Sequence, residues 1–477
     1  MKTVKKYIFL FCCLLQTFIQ ASGQKDLFTI SPVSFNMRDY DEFSAVQYND
    51  GLVFCSNRTQ NIFIARVDSL NMPLLNLYSV KKKETGKWAA PEPFLKEISS
   101  RKHEGPFTFS KDYKTLYFTR NEGEVNGIYI SKYDGSKWEM PTPFTYNESQ
   151  SDVGHPCISD DGKRLFFVSN KRGGFGGFDI YVCTWNKNRW SQPKNLGPEV
   201  NTAFDELYPF SQANGRLYFS SNRPKGLGGL DIYFSKEKNE KWTTPKPLST
   251  PLNTKSNDFA YWSDSTDLHG FVSSDRSSHS KLCDIYEFTI NFPYMNNCKP
   301  QEKNDYTYVL EEPGSIGKDS TSLGYEWDFG DGSKIRGKSL KVEHTFPKIG
   351  DYNVQLNVID TITGKVSNNV TSYSFPVADI EQPYITAPET AKPGEEIIID
   401  ANKTFLPDKT ITNYYWDFGD DNIATGITVK HTYTESGKYR IKLSVSYTKD
   451  KGTQSLNDCR YFEILIQDSE KSIINNK

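Results

Sequence analysis

One short pattern recurs through the first 290 residues, and it limits what the chain can become. Its core is an Ile flanked by Asp or Asn and an aromatic, as in Asp179-Ile180-Tyr181, Asp231-Ile232-Tyr233 and Asp284-Ile285-Tyr286. Gly127-Ile128-Tyr129 and Asn61-Ile62-Phe63 read as further copies. Upstream of the Ile lies an apolar run closed by a polar-basic tag, such as Leu217-Tyr-Phe-Ser-Ser-Asn-Arg223 or Leu165-Phe-Phe-Val-Ser-Asn-Lys171. Downstream come a Trp (88, 138, 190 and 242) and a Pro. The central Ile stands at 62, 128, 180, 232 and 285, so the period is near 52 with an insertion in the first copy, placed around Val67 to Lys83. A unit repeated at such a period cannot bury its faces alone and must stack on its neighbours.

Each copy holds about four short strands separated by turn residues, which makes it one blade of a β-propeller. The innermost strand is short and apolar, as in Pro106-Phe-Thr-Phe109. The fifth copy ends at Asn291-Phe-Pro293 without its Trp and outer strand. Residues 26–33, with Phe28 to Pro32, supply a replacement from the other end of the chain, which avoids a free sheet edge. The expectation is an all-β chain with a five-bladed propeller over 24–295, six blades being the alternative.

Beyond residue 298 the pattern changes. Tyr325-Glu-Trp-Asp-Phe-Gly-Asp-Gly332, His344-Thr-Phe346 and a period-2 run through Tyr352, Val354, Leu356 and Val358 form one unit. Tyr415-Trp-Asp-Phe-Gly-Asp420, His431-Thr-Tyr433 and Tyr439, Ile441, Leu443 and Val445 form a second. Alternation of this kind places one face of a strand inward, as in a small Ig-like sandwich. Two sandwiches are expected, at 299–378 and 383–466, with a flexible tail at 467–477. Trp327 and Trp416 open the same motif in the same register and are read as core residues. His344 and His431 are read as packed or hydrogen-bonded rings.

Residues 1–23 read as a secretory signal: Lys2, Lys5 and Lys6, then an apolar stretch from Tyr7 to Ile19, then Ala21-Ser22-Gly23. Phe11 before Cys12 does not fit a lipoprotein signal. No later apolar run has spanning length. The balance of 57 Lys+Arg against 59 Asp+Glu offers no basic surface for nucleic acid. Cys55, Cys157 and Cys183 lie in apolar strands and read as buried free thiols. Cys283, Cys298 and Cys459 are left unassigned, since export permits disulfides but sequence does not pair them.

The Ser-Asn-Arg…Gly-Gly-x-Asp-Ile-Tyr repeat resembles the WD40-like, Tol-type propeller repeat of bacterial periplasmic proteins. The Trp-Asp-Phe-Gly-Asp-Gly…His-Thr-Phe units resemble polycystic-kidney-disease (PKD) domains, which implies sandwiches used for spacing or adhesion. The combination is similar to envelope proteins of Bacteroidetes-type bacteria, some of them tied to type IX secretion or gliding. Those relatives usually carry an OmpA-like module, which this sequence, ending at Lys477, does not show. Peptidoglycan anchoring is therefore not carried over from them.

Motifs for chemistry are sparse. Arg172-Gly-Gly-Phe-Gly-Gly-Phe-Asp179 is followed by a strand and not by a helix N-terminus, so it reads as a turn and not as a phosphate loop. Asp328-Phe-Gly330 and Asp417-Phe-Gly419 lack the other kinase elements, and His103-Glu104 lacks a second His. No zinc spacing and no nucleophile elbow is present. The expectation is a chain that is not an enzyme and has no cofactor or metal.

One constellation remains. An acid precedes each inner strand: Glu42, Glu104, Asp152, Glu206 and Asp258. These should ring one mouth of the central channel beside Phe43, Phe107, Tyr208 and Phe259. Either they form a docking surface for a cation, a basic peptide or a protein, or each pairs with the base of its repeat (Arg58, Arg120, Lys171, Arg223, Arg276) and locks the ring. Equal numbers of acids and bases favour pairing. The functional expectation is a periplasmic or outer-membrane-associated scaffold, alternatively at the cell surface, that holds a protein partner on the propeller face. A glycan- or matrix-binding adhesin is the second reading and a propeller hydrolase the third.

Overall fold

The computed structural model describes residues 27–58, 73–94, 100, 102–121, 123–277, 282–295, 297–313, 322–448 and 456–468. The signal segment at 1–23 and the tail from 469 on lie outside them, as does Asn61-Ile62-Phe63. Every regular element among the described residues is a β-strand. The chain divides into two compact units, Asp26–Asn291 and the residues from Phe292 on.

The first unit is a ring of sheets. Sheet 1 runs Glu42–Tyr48, Gly51–Ser56, Asn76–Lys81 and Glu92–Pro93. Sheet 2 runs Glu104–Phe109, Thr115–Asn121, Asn126–Lys132 and Thr142–Pro143. Sheets 3 and 4 begin at Val153–Ile158 and Glu206–Ser211 and repeat the order. Sheet 5 holds Asp258–Ser263, His269–Ser274 and Asp284–Ile290, and its outer strand is Phe28–Pro32, paired antiparallel from Phe28↔Ile290 to Pro32↔Tyr286. The two ends of the unit thus share one sheet. The first strand of each sheet touches that of the next, and the fifth touches the first, so the ring is closed.

The first copy is corrected by the structure. Its third strand is Asn76–Lys81, with Leu77 and Tyr78 where other copies carry Ile and Tyr. The extra residues therefore precede this strand and do not follow it.

All five inner strands share one kink. Their pairing slips between Phe43 and Val46, Glu104 and Phe107, Gly154 and Cys157, Leu207 and Phe210, and Phe259 and Trp262. At each slip one residue is left-handed: Ser44 (φ 52°), Gly105 (114°), His155 (48°), Tyr208 (51°) and Ala260 (50°). A bulge bends the strand and sharpens its twist, which turns the second half of each inner strand along the axis.

In the second unit, one sandwich sets the sheet of Leu323–Asp328, Lys334–Gly337, Gly350–Asp360 and Val366–Val377 against Thr307–Glu311 and Lys341–Thr345. The other sets Thr410–Asp417, Ile423–Thr425, Gly437–Thr448 and Leu456–Ile466 against Glu396–Asp400 and Thr428–Thr432. Trp327 and Trp416 are 1% and 0% exposed, at the centre of their cores as expected. His344 stacks on Phe329 (3.7 Å) and bonds Asp331 (2.8 Å), while His431 stacks on Phe418 (4.1 Å) and bonds Asp420 (2.9 Å). The entry segment Lys299–Pro300 pairs in parallel with Leu456–Ile466 of the second sandwich, and Cys298 is bonded to Cys459. Cys55, Cys157, Cys183 and Cys283 are free, the first three buried.

Candidate functional site

Glu42, Glu206 and Asp258 occupy one structural position, each opposite the Ser of its sheet's basic tag. All three carboxylates are buried. Glu42 pairs with Arg58, Glu206 with Arg223 at 3.0 Å and Asp258 with Arg276 at 2.5 Å. Glu104 is buried in the same place, and Arg120 stands directly opposite it, at 2.8 Å. Burial pushes the Glu42 carboxyl up to about 7 against the pull of Arg58, and raises that of Glu206 as well. Each base also stacks on the third-strand Tyr of its own sheet: Tyr78, Tyr129, Tyr181, Tyr233 and Tyr286. These four acids are therefore turned into their own sheets and are not displayed at a channel mouth, because an unpaired buried carboxylate would cost several kcal/mol.

Asp152 is one residue out of that register. The buried position in sheet 3 is Val153, opposite Ser169, and Lys171 is left with Glu148 at 3.8 Å. Asp152 belongs with Asp41, Asp205 and Asn257, whose side chains catch a backbone N–H of the preceding sheet. Asp152 takes Asn126 N–H (2.8 Å), Asp205 takes Phe178 (2.9 Å), Asn257 takes Leu230 (2.9 Å) and Asp41 takes Cys283 (3.1 Å). His103 Nδ1 does the same for Leu75 (3.1 Å). A second belt, which the sequence reading missed, is made by Asn147, Asn201 and Asn253. Each amide bridges the N–H and C=O of the central Ile, at 2.8–2.9 Å. The signal was present as an Asn five residues before Glu206 and Asp258. Blade-to-blade locking thus falls to these amides and carboxylates, while the acid–base pairs act within a sheet.

The space on the axis lies past the bulges. A cavity of about 550 Å³ is lined by the second halves of all five inner strands and by the turns that follow them. Its lining mixes aromatic rings, among them Phe210 and Trp262, with Gln47, Ser211 and Gln212. Tyr208 lines it too and meets Phe259 (5.0 Å), Phe43 (6.5 Å) and His155 (4.2 Å). This aromatic group stands across the axis at the end nearer the acids. His155 N–H donates to Thr119 Oγ1 (2.9 Å) and its Nδ1 accepts from Tyr208 N–H (3.3 Å). Burial holds its imidazole down to about 4. Next to the cavity, Asp267 accepts from Tyr261 (3.0 Å), Ser263 (2.6 Å), Arg216 (2.6 Å) and Tyr218. Burial alone would raise this carboxyl, yet these donors hold it below its usual range. Among the described residues no cluster of His, Cys, Asp or Glu has the form of a metal site.

The PKD domain family profile matches residues 298–374 and 380–461. The chain is a β-propeller followed by two PKD domains. The propeller chain is similar to TolB from Acinetobacter baumannii (12% identity, TM-score 0.29), covering 82% of this chain and 63% of that one. It is similar also to 1,3Gal43A, an exo-β-1,3-galactanase from Clostridium thermocellum (12%, TM-score 0.34, 91% of this chain and 99% of that one). A third is XC5397, a gluconolactonase from Xanthomonas campestris (12%, TM-score 0.31, 51% and 70%). The expectation that the chain is not an enzyme is corrected here: the structures it is similar to include a galactanase and a gluconolactonase, and a propeller by itself does not separate a binding protein from a catalyst. Among the described residues no helix is long and apolar enough to cross a membrane.

Proposed function

We propose that the propeller with its PKD domains is a binding or scaffold protein of the bacterial cell envelope that holds a protein partner at the open end of its axis. The observation that carries this reading is the axial cavity of about 550 Å³, where five hairpin ends converge and aromatic rings alternate with amide and hydroxyl groups. Such mixed concave surfaces suit recognition, because rings add contact area at small entropic cost while the polar groups fix orientation. Of the expected site residues, Tyr208 belongs to this surface directly, and Phe259 supports it through their ring contact. Glu42, Glu104, Glu206 and Asp258 hold the frame, and Asp152 seals a seam. The signal-like residues 1–23 and the Cys298–Cys459 bond support export to an oxidising compartment, with the periplasm or outer membrane as the place of action. PKD domains suit a spacing role between the propeller and whatever lies beyond.

The test is capture from envelope extracts by the intact chain and by Gln47→Trp, which places an indole in the cavity at an exposed position. Capture of one stable partner by the parent, lost in the variant with the melting temperature unchanged, is the expected result. Equal capture by both would remove the axial site. Loss confined to changes in the sandwiches would move binding there.

A further inference from the structure

Sheets 3 and 4 fill the seam toward the next sheet in the same way. Between their second and third strands runs a glycine-rich loop, so that Ser169 pairs with Asp179 and Ser221 with Asp231, ten residues on in both cases. Asp179 folds the first loop by accepting from the N–H groups of Phe175 (2.6 Å) and Gly176 (3.2 Å), and Asp231 folds the second through Gly228 (3.0 Å). Both loops lie directly on the entry loop of the following sheet. A Cβ on Gly176 would fall against the carbonyl oxygens of Thr202 and Phe204, and one on Gly228 against those of Thr254 and Ser256. Only glycine permits that approach.

Among the described residues, the seam between sheets 2 and 3 shows no such loop-folding Asp and no glycine seated on the entry loop. Arg120 pairs with Gly127, seven residues on, so this loop is three residues shorter. Gly127 stands where sheets 3 and 4 have the loop-folding Asp, and the space beside it is taken by the Asn147 amide. The buried acid of sheet 3 is replaced by Val153. What remains is a cleft of about 420 Å³, lined among others by Glu124, Asn126, Tyr129, Asn147, Glu148 and Ser149. It shares no lining residue with the axial cavity. Glu124 and Glu148 are both exposed at it. By position Glu148 and Gln150 are the equivalents of Thr202 and Phe204, counted from the bridging Asn147 and Asn201.

We propose that this cleft is a docking site for a glycine-containing basic loop of a partner protein, seated as the chain's own 172–178 and 224–230 loops are seated in the next two seams. The occupant's character follows from those loops. They approach carbonyl oxygens through glycine, and they carry a cation ahead of their glycines, Arg172 and Lys225. Here such a cation meets two exposed carboxylates, Glu124 and Glu148, the second of them shared with Lys171 at 3.8 Å. Backbone contact supplies the fit and the rim charges supply orientation.

The probe is a fluorescent peptide with the sequence of residues 171–179, titrated with the intact chain and followed by anisotropy. Saturable binding is expected, weakened about tenfold at low salt by Glu124→Gln with Glu148→Gln, and less so as salt rises. Ser149→Trp, which fills the cleft, should abolish it, and Gln47→Trp in the axial cavity should leave it unchanged. Because both glutamates are exposed, the double variant keeps its fold, and its melting curve checks this. No binding up to about 1 mM peptide, or equal binding by parent and double variant, overturns the proposal.

Discussion

Glu206 and Arg223 meet with the carboxylate fully buried and the guanidinium 13% exposed. Thr202 and Ser221 add hydrogen bonds at 2.7–2.9 Å, and Arg223 also donates to Val200 O. Removing one partner leaves the other charged and desolvated. Glu206→Ala should therefore cost about 3–5 kcal/mol in urea unfolding, and a loss below about 1 kcal/mol would mean the pair is solvated. His155 gives a pH signature. Its folded value lies below that of a free imidazole, so the stability tied to the neutral ring is present above about 6.5 and is lost as pH falls toward 4. Protonation also ends acceptance from Tyr208 N–H. The parent should lose up to about 1.4 kcal/mol per pH unit across that window, and His155→Gln should show a flatter profile. Equal slopes would place the acid sensitivity elsewhere. The acids were legible in the sequence because an acid stands before every inner strand, but Asp152 lies one residue out of register and sheet 3 buries Val153 instead. A sequence shows an acid before a strand, whereas register decides whether it faces the sheet or the seam. His155 was not legible at all, since its equivalents are Ser44, Tyr208 and Ala260, which share a backbone conformation and no chemistry.

At the scale of elements, the strand Phe28–Pro32 covers the outer edge of Asp284–Ile290 from Tyr286 to Ile290. Deleting residues 27–33 should expose that edge, lower the melting temperature of the propeller sharply and promote self-association in gel filtration. A deletion variant that melts like the parent and stays monomeric would show that the strand is ornamental. This closure could be read from the sequence because the fifth copy lacks a Trp and the N-terminus offers a spare strand. The third strand of sheet 1 could not. Asn61-Ile-Phe63 and Asn76-Leu-Tyr78 are equally apt as strands by local composition. The choice is made by tertiary contacts: Tyr78 donates to Arg58 O (2.6 Å) and lies under its guanidinium. The five bulges were equally hidden, for they follow from crowding at the axis and not from any residue type.

Across the whole molecule, repetition made the architecture readable and its exceptions mark the places of interest: the short loop of sheet 2, the Val at 153, and a disulfide no spacing announced. That bond joins residues 161 apart, and beside it Gln301 and Gln382 exchange amide hydrogen bonds with Ile385 and Glu302. Consider tension applied along the chain. Force that enters ahead of Cys298 crosses the sulfur bridge to Cys459 and leaves through the second half of the last strand, so the first sandwich, and all of the second but that strand, lie outside the loaded path. Stretched between handles at its two ends, the oxidised second unit should yield little length. Cys298→Ser should release up to about 58 nm more, at about 3.6 Å for each freed residue. Identical extensions for the two proteins would show that the bridge carries no load. The disulfide thus gives the pair of PKD domains a covalent bypass that keeps their span short when their ends are pulled.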